Sequence, residues 1–245
     1  MKKITAIFLA ALMALSLAAC GNPAQTLPAQ GVIERPPQDD STGTAENGDP
    51  SDGNEADQQT PPASGGNILI AYFTVPETDG VDTVASASRV ATENGVVGST
   101  EFIAAEIQKN LGGDLFAIET VQDYPGTHSE LLDFAYQEKS SNARPELAAH
   151  IENLDDYDYI FVGYPNWNAD LPMPLYTFFE EYDFSGKTII PFVTHGGSGF
   201  SSTIRTIRSL EPDATVLDAG LSVSRNSVAS AQADVKVWTD SLLAD

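Results

Sequence analysis

From Asn67 to the carboxyl end, five short apolar runs alternate with five amphipathic stretches, and that alternation leaves few folds open. The runs are Ile68 to Phe73, Leu115 to Val121, Tyr159 to Tyr164, Thr188 to Thr194 and Ala214 to Leu217. They are rich in β-branched and aromatic residues and nearly continuous in apolar character, as strands buried on both faces are. Helical patterns occupy Glu101 to Leu111, Ser129 to Lys139, Pro174 to Tyr182, Ser201 to Ser209 and Val228 to Leu243. Strand–helix alternation implies βαβ crossovers, and right-handed crossovers give an α/β fold: a doubly wound, five-stranded parallel sheet with helices on both faces. Pro191 lacks the N–H that a ladder needs and counts mildly against a regular fourth strand.

The first connection is abnormally long. It runs from Phe73 to Ser99, where about two to six residues would be usual. Within it, Ser88 to Gly98 places Asn94-Gly95 between apolar pairs, a strong hairpin signal. A small β-hairpin is therefore expected after the first strand, either as a lid over a ligand or as an excursion without function.

Residues 1–66 differ in kind. Lys2 and Lys3 precede an apolar run from Ile4 to Ala19 that ends in small residues, the order of an export signal and shorter than a resident membrane span. Leu17-Ala18-Ala19-Cys20-Gly21 resembles a bacterial lipobox, and Cys20 is the only cysteine in the chain. The resemblance implies lipidation of Cys20, with the polypeptide held at the cell membrane outside the cytoplasm. Residues 21–66 carry eight acidic residues and one Arg amid Pro, Gly, Ser, Thr, Asn and Gln, without apolar periodicity. Such a segment cannot offset its ordering entropy and is expected to be a disordered tether. The domain organisation expected is thus a signal at 1–20, a linker at 21–66 and one folded domain at 67–245.

A lone cysteine excludes an intramolecular disulfide and Cys-rich metal sites. With 35 acidic residues against 12 basic ones, the net charge of −23 repels phosphate backbones and excludes a general nucleic-acid binder. The domain from Asn67 alone has 27 acids and 9 bases, a net charge of −18. Its surface disfavours added negative charge on a ligand and attracts basic partners.

In open α/β sheets, ligands lie beyond the carboxyl ends of the strands. Three segments there have matching chemistry. Thr74, with Gly98-Ser99-Thr100-Glu101 at the start of the first helix, offers hydroxyls and free N–H groups for an anion without any Lys or Arg. The same residues also read as simple capping by Ser99. Pro165-Asn166-Trp167-Asn168, after the third strand, offers a flat indole beside amide side chains, or a Trp packed on its own turn. Thr194-His195-Gly196-Gly197-Ser198-Gly199, after the fourth, allows close backbone approach to a planar group, or is a flexible turn. Together they fit a phosphate-bearing planar heterocycle.

In these three segments the region from Asn67 onward resembles the flavodoxin-like family, binders of FMN. The resemblance implies strand order 2-1-3-4-5. It implies that Thr74, Ser99, Thr100 and Glu101 form the phosphate end, that Pro165 to Asn168 flank the ring with Trp167 stacking, and that Thr194 to Gly199 meet its polar edge. The family's phosphate loop, of the form [ST]-x-T-G-x-T, is split here by the hairpin, and Ser86 or Ser88 could replace a missing hydroxyl. The function implied is electron transfer to a protein, or to a small quinone, nitro or azo compound, with the flavin and no side chain carrying the reactivity. A non-redox ligand-binding lipoprotein on the same fold is the alternative.

Other chemistries fit less well. The stretch around Ser198 lacks the G-x-S-x-G elbow of esterases, and no Asp is placed to orient His195. His128, His150 and His195 are dispersed without metal-ligand spacing, and Asp155-Asp156-Tyr157-Asp158 lacks a calcium-loop pattern.

Overall fold

The computed structural model describes residues 67–78, 89–93 and 95–243. Cys20, the signal and linker segments, Ser86, Ser88 and Asn94 lie outside the described residues. The chain enters through β1 (Ile68–Tyr72), makes an antiparallel hairpin of β2 (Arg89–Thr92) and β3 (Gly95–Gly98), and passes directly into α1 (Ser99–Leu111). β4 (Asp114–Ala117), α2 (His128–Ser141), β5 (Tyr159–Pro165), α3 (Met173–Glu181), β6 (Thr188–His195) and α4 (Thr203–Leu210) follow. β7 (Thr215–Val216), β8 (Leu221–Ser224) and α5 (Gln232–Ser241) complete it. The sheet runs β4-β1-β5-β6-β7 with all pairs parallel, which is the expected order once the hairpin is set aside.

Alternation along the strands divides the interior into two layers. Ile70, Phe161, Ile190 and Phe192 face Ile103 and Ile107 of α1 and Val235 of α5. Leu69, Ala71, Ile160, Val162 and Val193 face Leu131 of α2, Leu175 and Phe178 of α3, and Ile207 of α4. Fully burying a side chain such as Phe161 or Phe178 stabilises the fold by about 1.5–3 kcal/mol, so these layers fix which helices cover which face. Among the described residues no helix is long and apolar enough to cross a membrane.

Three boundaries depart from the sequence expectation. β4 stops at Ala117, because Thr120 bridges Leu147 in antiparallel fashion and Val121 N–H donates to the Glu146 carbonyl. α5 starts at Gln232, after a separate 3₁₀ turn at Val228–Ser230. The fifth strand is broken: β7 pairs with Thr188 and Ile189, whereas β8 pairs with Phe192 to His195.

Pro191 explains that break. Leu217 N–H donates to Ile189 O and Arg225 N–H to His195 O, so the odd-numbered residues of β6 turn their polar backbone toward the outer strand. Pro191 would have to donate in that direction and cannot. The outer chain detours through Asp218 to Gly220 at this level. A Cβ on Gly220 would lie 2.6 Å from the Pro191 carbonyl oxygen, so only glycine fits the return.

Candidate functional site

The hairpin separates Thr74 from Gly98 by sequence, yet the fold reunites them. The Thr74 hydroxyl lies against the Gly98 α-carbon, where any Cβ would collide with it. Gly98 caps α1 in extended conformation, and its N–H donates to the Glu101 carboxylate at 3.2 Å. Ser99 is therefore the first helical residue and not the cap. Ser99 and Thr100 are both buried, and the Thr100 hydroxyl meets that of Thr194 at 2.9 Å. This contact seats the positive end of the α1 dipole on the carboxyl end of β6.

After β5, Asn166 N–H donates to the Thr194 carbonyl, and its Nδ2 donates to the Gly199 carbonyl at 2.7 Å and to Ser201 Oγ at 3.1 Å. Trp167 and Asp170 exchange backbone hydrogen bonds around Asn168 (φ 52°) and Ala169 (φ 60°), both left-handed as in a type I′ turn. Lys139 of α2 clamps this turn, donating to the Asn168 carbonyl at 2.8 Å and pairing with Asp170 at 3.2 Å.

Trp167 was expected to present an open flat face. It is only 4% exposed, edge-on to Phe73 with centroids 5.4 Å apart and tilted against Tyr124 at 5.6 Å. Tyr124 is itself held by Glu138, which accepts from the phenol and from Gln122 Nε2 at 2.7 Å each. Burial pushes the Glu138 carboxyl above its ordinary range, while those two donors pull it back. After β6, the Gly197 N–H donates to His195 Nδ1 at 2.9 Å, which places the proton of the neutral imidazole on Nε2. Burial lowers the His195 pKa, favouring that neutral form.

A cavity of about 470 Å³ lies between these two loops and α2. Asn166, Trp167, Asn168, Gly196, Gly197 and Ser198, all singled out from sequence, border it. Its remaining wall is Leu131, Leu132 and Ala135 of α2, with Ala169. Helical spacing marked those leucines as an apolar face, but no local signal told what the face would cover. Thr74 and Glu101 border a separate space of about 130 Å³ with Tyr72, Ile118 and Glu119. Thr194 is fully buried, and Pro165, the last residue of β5, is buried with it, so both support the rim from below.

The family model for flavodoxin matches residues 67–242. The chain belongs to the flavodoxin family. No curated protein matches it. Among solved structures, it is similar to a protein of Bacteroides uniformis ATCC 8492 assigned as a flavoprotein, at 26% identity and a TM-score of 0.50, over 67% of this chain and 96% of that one. It also shares its fold with a flavoprotein of Lactobacillus acidophilus NCFM in complex with FMN, at 17% identity and a TM-score of 0.50, over 71% of this chain and 99% of that one.

As a flavodoxin, the chain takes FMN as its cofactor, and the cavity suits a flavin ring chemically. Asn166 Oδ1 and Trp167 Nε1 are buried without a partner among the described residues, one an acceptor and one a donor, on neighbouring residues of the cavity wall. The pyrimidine edge of an isoalloxazine carries an N–H flanked by carbonyls, the complement of that pair. A volume of about 470 Å³ is within the usual range for small-molecule sites.

Proposed function

We propose that this protein is an exported, lipid-anchored flavodoxin that passes electrons from bound FMN to a protein or small-molecule acceptor. The observation that carries the reading is the cavity of about 470 Å³ between the loops after β5 and β6, whose wall includes Asn166 and Trp167, each with a buried polar atom that has no hydrogen-bond partner among the described residues. FMN, when bound, supplies one- or two-electron transfer. The residues of this chain supply placement: Asn166 and Trp167 orient the ring edge, the Gly196–Ser198 backbone closes over it, and the α2 leucines exclude water. Thr74, Ser99 and Thr100 hold the phosphate end at the start of α1. The net charge of −18 over residues 67–245 opposes further negative charge on the flavin, which favours a low potential, and it attracts basic redox partners in a salt-dependent way.

Protein purified from a flavin-replete host is expected to be yellow and to release FMN on denaturation. A colourless product that rejects added FMN would overturn the reading. For the anchor, Cys20→Ser is expected to leave the protein without acyl chains and free of the membrane, and membrane retention of that variant would count against it.

A further inference from the structure

Arginines are scarce in this domain, which makes two of them informative. Lys109, Lys139, Arg144, Arg208 and Lys236 each pair with a carboxylate. Among the described residues Arg225 does not: its Nε and Nη1 are sealed from solvent and have no hydrogen-bond partner. Arg89, half-buried, and Arg205, exposed on α4, likewise make no ion pair or side-chain hydrogen bond among the described residues, but only Arg89 and Arg225 are partly shielded from water. Leaving a guanidinium partly buried and unpaired, amid 27 acidic residues, is costly unless an anion completes it.

The backbone of each arginine can be traced to the neighbourhood of the start of α1, Arg89 directly and Arg225 through the end of β6. Val223 pairs with Thr194, whose hydroxyl meets Thr100, and Val223 is buried in the layer under α1 and α5. Arg225, the first residue beyond β8, is tied to the same carboxyl rim of the sheet by its N–H, which donates to the His195 carbonyl at 2.9 Å. Arg89 pairs with Gly98, the α1 cap, and paired residues project to the same side of a hairpin. That is the side on which Gly98 meets Thr74. Val90, next to Arg89, is buried in one cluster with Val223 and Val228, which brings the base of the hairpin onto the turn that follows β8.

We propose that Arg225 and Arg89 are cationic ligands of a phosphate group seated at the start of α1, and that the hairpin is what delivers the second of them. This rests on the FMN reading and adds to it, since the hydroxyl and amide seat contains no cation. Guanidinium forks match phosphate oxygens and strengthen what the helix dipole begins. A dianion entering a domain of net charge −18 needs such local compensation.

The test is equilibrium titration of the full chain with FMN and with riboflavin, which lacks the phosphate, for wild type, Arg225→Gln and Arg89→Gln at low and high salt. Wild type is expected to favour FMN. Arg225→Gln is expected to weaken FMN roughly tenfold or more and Arg89→Gln by less, with riboflavin affinity unchanged and the salt dependence reduced. Inorganic phosphate should then compete with FMN and not with riboflavin. Equal losses for both flavins would make the arginines merely structural, and FMN binding indifferent to inorganic phosphate would assign them to another phosphate compound; either overturns the proposal while the flavin reading stands. If Arg225→Gln fails to fold, Arg89→Gln decides alone, and unchanged FMN affinity in it counts against the proposal. A wild type that binds neither flavin would overturn both.

Discussion

The hydroxyls of Thr100 and Thr194 meet at 2.9 Å with both side chains shielded from water, joining the start of α1 to the end of β6 across 94 residues of sequence. Each hydroxyl depends on the other. Thr194→Val keeps the shape but strands the Thr100 hydroxyl, so urea denaturation is expected to show a loss of about 1–3 kcal/mol. FMN affinity should fall with it, because the α1 start loses its seat. Unchanged stability and affinity together would show that the two elements are not tied through this contact.

Trp167→Phe separates two roles of the indole. It keeps an aromatic ring between Phe73 and Tyr124 while removing the orphaned Nε1–H together with part of the ring volume. FMN affinity is expected to drop about fivefold to tenfold, the net worth of about one hydrogen bond, with a smaller loss of folding stability than truncation to alanine causes. Trp167→Ala, by contrast, empties a buried site and should cost about 3–5 kcal/mol of folding stability. If Phe binds FMN as tightly as Trp, the indole N–H does not face the flavin.

Ala169 stands in left-handed conformation without the side-chain chemistry that helps Asn168 tolerate it. Ala169→Gly is expected to stabilise the protein by about 0.5–1 kcal/mol, after the entropy glycine gains in the unfolded chain is subtracted. A lowered thermal midpoint would mean that the methyl group packs more usefully than the turn is strained.

Glu211 gives a pH dependence whose sign can be worked out. Burial and the nearby Asp183 raise its pKa from 4.5 to about 7. The folded state therefore holds a proton that the unfolded state releases, and the stability due to this group falls as pH rises from about 4.5 to 7. Glu211→Gln should flatten that part of the profile and stabilise the protein above pH 7 by about 1 kcal/mol, the carboxyl being half solvated. Parallel stability profiles for the two proteins would remove the effect.

Most of the sheet was legible because its strands are short, nearly continuous apolar runs that alternate with amphipathic stretches. β8 was not: Leu221-Ser222-Val223-Ser224 is a four-residue alternation, and its place is set by a proline on another strand. The two loops that border the cavity were legible as segments from Asn166, Trp167, Gly196 and Gly197 placed after strands, whereas Thr74 and Glu101 border a separate space. The setting of Trp167 was not, since Phe73 and Tyr124 reach it from distant parts of the chain. Nor did any local pattern show that Thr74 would touch Gly98, because that contact depends on how the hairpin closes.

The detour at Asp218 to Gly220 also conserves the phase of the pleat. Pairing advances from Ile189 with Val216 to Phe192 with Leu221, so the outer chain has gained two residues on its neighbour, an even count. Inside and outside are thus not exchanged, and Leu217, Leu221 and Val223 keep to one layer. Deleting one residue of the detour would turn Val223 toward the opposite layer, whereas deleting two would keep every orientation. Limited proteolysis of the two deletions would separate parity from length.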